Sequence, residues 1–190
     1  MNLPMLNSVP NRPFADRVAF LLNANARAVG PKLVARLAEI VPQGDLFLSR
    51  SLEESASFVL TILRRGYGRV FVGGGDGTLV STVTHIENMA DAGGFARPQI
   101  GMLKLGTGNA VAGMLGARRA EHDAFHAVNG GGHEVRRVEL VECEDGTLAP
   151  FAGMGYDGEV LNDYMSMRDD FNHPALKPLV ESVWGYLFAM

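Results

Sequence analysis

Arg69-Val70-Phe71-Val72-Gly73-Gly74-Gly75-Asp76-Gly77-Thr78 decides how the rest of the chain is read. Residues 69–72 are β-branched and aromatic after the leading arginine, as expected of a short buried strand. The strand runs into a turn with four glycines in five positions, where no side chain keeps a ligand from the backbone. Glycine is entropically costly to order, so that density needs a reason. One reason is a strand-to-helix turn whose bare N–H groups approach a phosphate. A single Gly-rich turn is more simply an ordinary βα connection. Here an acid, Asp76, stands among the glycines, and a second such turn, Leu105-Gly106-Thr107-Gly108-Asn109, follows about thirty residues later. Two such turns in one chain favour a phosphate site.

Working outward, residues 17–22 (Arg-Val-Ala-Phe-Leu-Leu) form a nearly unbroken apolar run, the pattern of a strand buried on both faces. A polar loop, Asn23-Ala24-Asn25-Ala26, follows it. Pro31 then opens a helix with Leu33, Val34, Leu37, Ile40 and Val41 on one face. Residues 45–48 read as a second strand. Ser51 and Glu54 form a capping box for a helix that carries Phe58, Val59, Ile62 and Leu63 inward and stops at Gly66. Beyond the glycine turn the pattern predicts a helix over 78–89 and a strand over 99–103.

Alternating strands and helices imply an α/β fold with a parallel sheet and right-handed crossovers. Ligands of such sheets gather at the carboxyl ends of the strands. Both glycine turns are therefore expected at one crevice. A small-residue helix over 110–115 should follow the second turn, with its first N–H groups facing the loop. Thr107 and Asn109 can add side-chain hydrogen bonds to phosphate or ribose oxygens. Asn109 is equally well read as a helix cap.

After Gly130 the character changes. Residues 134–142 alternate, Asp145-Gly146 is a hairpin signal, and 147–154 reads as the returning strand. The organisation expected is a flexible leader over 1–16, an α/β nucleotide-binding domain over 17–130, and the start of an incomplete β-sandwich-like domain over 131–190. Helical patterns resume over 159–167 and 176–188. The last of these is still running at Met190, so the chain reads as a fragment of a longer protein.

Composition narrows the function. With 190 residues, 47% hydrophobic and 20% charged, the chain is globular. A net charge of −4 leaves no basic footprint for nucleic acid. Cys143 is the lone cysteine and reads as a strand residue, which fits a reducing, cytoplasmic setting. The N-terminus has no apolar core of a signal peptide, and no window nears the ~18 apolar residues of a membrane span. No Gly-x-x-x-x-Gly-Lys-Ser/Thr and no Gly-x-Ser-x-Gly is present. The first βα turn lacks the dinucleotide fingerprint. The five histidines show no metal spacing with Cys143, and His122 and His126 read as an exposed helix face.

Gly74-Gly75-Asp76-Gly77-Thr78 followed by Leu105-Gly106-Thr107-Gly108-Asn109 resembles the catalytic domain of the diacylglycerol kinase and sphingosine kinase family. The Asn23-Ala24-Asn25-Ala26 loop stands where that family has an Asn-Pro-like loop. Gly153-Met154-Gly155-Tyr156-Asp157 is similar to its Gly-x-Gly-Phe-Asp segment. The resemblance implies an ATP-dependent kinase placing the γ-phosphoryl group on a lipid hydroxyl at a membrane surface, with Mg²⁺ bridging phosphates. It implies a nucleotide site of Asn23, Gly74, Gly75, Asp76, Gly77, Thr78, Gly106, Thr107, Gly108 and Asn109. Asp76 would be the catalytic carboxylate, orienting a metal-bound water or accepting the hydroxyl proton, and Asp157 would lie near the lipid headgroup.

Residues 80 and 81, Val and Ser, stand where the family often has Asn-Glu or His-Glu. Ala110 replaces the Asp of the diacylglycerol branch and is closer to the sphingosine kinase version. Asp157-Gly158-Glu159 has the letters of an Asp-Gly-Glu motif from the family's second domain but sits in a different segment. Two alternatives share the first turn: an NAD kinase-like small-molecule kinase, and a nucleotide-binding fragment that does not catalyse transfer.

Overall fold

The computed structural model describes residues 14–131 and 134–153. Its centre is a sheet of four parallel strands in the order β2-β1-β3-β4. These are β1 (Val18–Asn23), β2 (Leu46–Ser49), β3 (Arg69–Gly74) and β4 (Gln99–Lys104). Three helices connect them: α1 (Pro31–Ile40), α2 (Leu52–Arg65) and α3 (Asp76–Gly93). The unbroken apolar run of β1 is explained by cover on both faces. Ala19 and Leu21 join Val70, Val72 and Met102 under α2 and α3, against Val59, Ile62, Leu79, Val83 and Ile86. Val18, Phe20 and Leu22 face the other way, onto Leu37 and Val41 of α1 and the alanines of α5 (Ala120–Val128).

The strand order also locates a crevice. From β1 the chain steps to β2 on one side, then returns past β1 to β3 and β4 on the other. The turning point of the order therefore lies between β1 and β3, where parallel sheets open a cleft at their carboxyl ends. Local signals place the helices around it. Pro31 takes the first turn of α1. Ser51 Oγ accepts the Glu54 N–H at 3.1 Å, and Gly66 closes α2 in the left-handed region at φ 71°.

Two boundaries differ from those expected. β3 continues through Gly73 to Gly74, which pairs with Lys104, and α3 begins at Asp76 rather than at 78. Only Gly75, extended at φ −94°, separates strand from helix. Glycines can carry a parallel ladder as well as a turn, so the glycine run is divided between strand, cap and helix. After β4, α4 (Ala110–Met114) is one short turn of helix, ending a residue sooner than its pattern suggested.

The second half departs further from the alternation in its sequence. The strand expected over 134–142 is reduced to β5 (Val141–Glu142), and its partner to β6 (Leu148–Ala149), paired antiparallel. Val135, Val138 and Leu140 are exposed, and 134–140 has no ladder partner among the described residues. Alternation without a facing strand leaves backbone groups unpaired, so it does not make a strand. The Asp145-Gly146 turn is present: Cys143 N–H donates to Thr147 O at 2.9 Å, and Gly146 has φ 79°. The hairpin rests on α3, where the Leu148 N–H donates to Thr84 Oγ1 at 2.9 Å. At the other end of the chain, Phe14–Asp16 form a 3-10 turn, so the expected leader already has structure there. The patterns over 159–167 and 176–188 lie outside the described residues.

Candidate nucleotide site

The carboxyl edge of the sheet brings together three loops. The first follows β1. Asn23 Nδ2 donates to Thr78 Oγ1 at 3.1 Å, while Asn23 Oδ1 accepts the Asn25 N–H at 2.9 Å. The amide thus links its own loop to the first turn of α3. The second is the Gly75 junction, and the third is the 105–109 turn after β4. Gly75 and Gly106 meet backbone to backbone. A Cβ on Gly106 would lie 2.2 Å from Gly75 Cα, and one on Gly73 would lie 2.3 Å from Leu22 Cδ2. Gly106 is required by packing against backbone, whereas Gly73 is crowded by the end of a leucine side chain. By contrast, Gly75 has ordinary room for a Cβ and Gly77 has open space beside it.

Asp76 joins the two glycine turns. Its Oδ2 accepts the Ala110 N–H at 3.1 Å and its Oδ1 accepts the Val111 N–H at 3.0 Å. A carboxylate from the first turn of α3 therefore caps the first turn of α4, 34 residues away. The usual capping residue does not do this. Asn109 occupies the N-cap with φ 54°, the only non-glycine described with positive φ, and makes no side-chain cap bond. Its side chain turns back on its own loop, accepting the Gly106 N–H at 2.8 Å and donating to Gly106 O at 2.6 Å. Asn is among the few residues that tolerate this backbone. The paired bonds hold the turn closed.

The sequence-derived residues 23, 74–78 and 106–109 therefore assemble at one edge. Thr107 and Gly108 are exposed there, and Asp76, Thr78 and Asn109 are half-buried. Asp76 and Gly77 lie in the first turn of α3, where helical N–H groups have no intrahelical acceptor. Asp157 lies outside the described residues, as does most of the Gly153-Met154-Gly155-Tyr156-Asp157 segment. Among the described residues, no group of three or more His, Cys, Asp or Glu side chains is placed to hold a metal ion. No described helix is long and apolar enough to cross a membrane.

Two features were not read from the sequence. One is that Asp76 is a cap: an acid 34 positions from its partners carries no local signal. The other is a cavity of about 620 Å³ along β4, lined by Leu79, Val83, Ile100, Met102 and Val111 among others. Its lining comes from widely separated parts of the chain, from β3 to the 134–140 stretch, so no periodicity announces it.

A parallel sheet carrying a two-turn, backbone-lined site at its carboxyl edge defines the class: an α/β protein with a candidate phosphate-binding edge. Residues 17–143 match the diacylglycerol kinase catalytic domain, and the chain belongs to that family of kinases. Its fold is similar to that of a "putative diacylglycerol kinase" from Bacillus anthracis str. Sterne. That match has a TM-score of 0.54 at 17% identity, over 70% of this chain and 43% of that one. A second diacylglycerol kinase structure from the same organism matches at a TM-score of 0.49 and 20% identity, over 66% of this chain and 45% of that one. The chain thus spans less than half the length of these solved structures. No curated protein sequence matches it.

Proposed function

We propose that this edge binds ATP and that the protein transfers the γ-phosphoryl group to a lipid hydroxyl, diacylglycerol- or sphingosine-like, presented at a membrane surface in the cytoplasm. The observation that carries the reading is the Asp76 bridge. It holds the two glycine turns together beside the open N-terminus of α3, which is the preorganised backbone surface that phosphoryl transfer needs. The N–H groups of Asp76 and Gly77, the Thr78 hydroxyl and the exposed Thr107 would line the phosphates. Asn23 would approach from the first loop. Gly106 and Asn109 would act by keeping the second turn closed.

Asp76 is the one carboxylate in the bridge. Each oxygen accepts one N–H, which leaves further acceptor capacity on both. That remaining capacity is what a proton-accepting or water-orienting role would use. Ser81 stands where the resemblance would often put an acid. The residues present therefore fit a Mg²⁺ held mainly by phosphates and water, with Asp76 as the protein's contribution. Bound there, the ion would neutralise phosphate charge. For the acceptor, the cavity begins beside Leu79 and Val111, in the first turns of α3 and α4, and combines an apolar wall that suits a hydrocarbon part with charged residues such as Glu87 and Arg136. Asp157 would face the lipid headgroup.

Transfer from labelled ATP to diacylglycerol, to sphingosine and to NAD tests the reading. A phosphorylated lipid is expected and phosphorylated NAD is not. ATP binding with no product from any acceptor would favour a nucleotide-binding fragment.

A further inference from the structure

The charges around the glycine turns bear on which part of a nucleotide is gripped; the inference rests on the nucleotide reading above. Lys104 is the last residue of β4 and pairs in register with Gly74. Alternation along β4 sets its direction. Met102 packs into the core under α3, and Leu103 and Leu105 into the opposite core, so Lys104 emerges on the α3 side. The loop after β1 comes from the other side. Its Ala28 N–H donates to Leu105 O at 3.3 Å, and Val29 packs with the α1 core, which fixes Arg27 beside the 105–109 turn.

Lys104 and Arg27 are both exposed, and neither has an ion-pair partner among the described residues. The one carboxylate in the seam, Asp76, already accepts two backbone N–H groups. Two cations without ion-pair partners thus flank a seam that holds one carboxylate, on a chain whose net charge is −4. We propose that Lys104 and Arg27 grip the polyphosphate from opposite sides of the seam formed by Gly75 and Gly106, so that the site selects nucleotides by their number of phosphates.

The test is titration of the full chain with ATP, ADP and AMP, for wild type, Lys104→Met, Lys104→Arg and Arg27→Met. Wild type should bind ATP best and AMP worst. Lys104→Met should weaken ATP about tenfold, ADP less and AMP least, with a shallower salt dependence. Lys104→Arg should restore most of the loss, and Arg27→Met should act in the same direction. An equal loss for all three nucleotides would mean a structural effect and overturn the inference. So would an unchanged ATP affinity in Lys104→Met beside a binding wild type. If wild type binds none of the three, the nucleotide reading itself fails, and this inference with it.

Discussion

The two ends of the central sheet each turn on an aspartate, and the two are used in opposite ways. At the amino end Asp45, 1% exposed, is held by side chains. Arg17 Nε donates to its Oδ2 at 3.0 Å and the Tyr67 hydroxyl to its Oδ1 at 2.6 Å. Phe14 stacks edge-on against Tyr67, so the pair sits under aromatic cover. At the carboxyl end Asp76 is half-buried, and its carboxylate is held by backbone N–H groups. The first arrangement fixes strand starts and leaves nothing for a ligand. The second fixes two turns while leaving their outer N–H groups and acceptor capacity facing solvent. A stabilising end needs matched side chains, whereas a phosphate site needs bare backbone held still.

The comparison can be broken most forcefully at the amino end. Asp45→Ala leaves Arg17 without its partner and the Tyr67 hydroxyl with only the Gly44 carbonyl at 3.4 Å, and should cost about 3 kcal/mol of stability by denaturant unfolding. Nucleotide affinity of the folded fraction should not change. Gly106→Ala should act the other way. A Cβ 2.2 Å from Gly75 Cα forces the turns apart, at about 2 kcal/mol, and ATP affinity should be lost with it. Gly77→Ala, with open space at its Cβ, should leave stability unchanged or slightly raised.

Smaller effects should follow at Asp76 and Tyr67. Asp76→Asn keeps one acceptor oxygen of two, so one cap bond is lost and the other loses its charge; this should cost about 1 kcal/mol, together with phosphoryl transfer. Full transfer activity with that variant would contradict the site. Burial and, next, the hydrogen bond to Asp45 push the Tyr67 phenol from 10.0 up to about 12. The folded state therefore holds that proton more tightly than the unfolded state. Its contribution is fully present below about pH 10 and is lost as pH rises towards 12. Melting temperature against pH should fall across that window, and Tyr67→Phe should flatten the fall.

Much of this was legible in the chain. The continuous apolar run of β1, the capping box at Ser51 and the glycine turns specify local geometry, and they placed the sheet and both loops correctly. The extent of 134–142 was not legible, because its alternation predicts a strand only where a partner strand exists. Nor was the part played by individual glycines. Gly73 and Gly106 are set by contacts with Leu22 and Gly75, which lie far away in sequence, while Gly77 has no such contact. From its neighbours Asp76 reads as an isolated turn acid. Its two partners belong to a helix that only the folded sheet brings to it.

The central claim is that the seam between the Gly75 and Gly106 turns receives the phosphates of a nucleotide. Backbone amide resonances of the ¹⁵N-labelled chain, followed during ATP titration, test it most directly. The expected result is saturable shifts at Gly75, Asp76, Gly77, Thr78, Thr107 and Gly108, with Arg17, Asp45 and Tyr67 at the opposite end unmoved. Saturable binding that leaves those six amides in place would contradict the account.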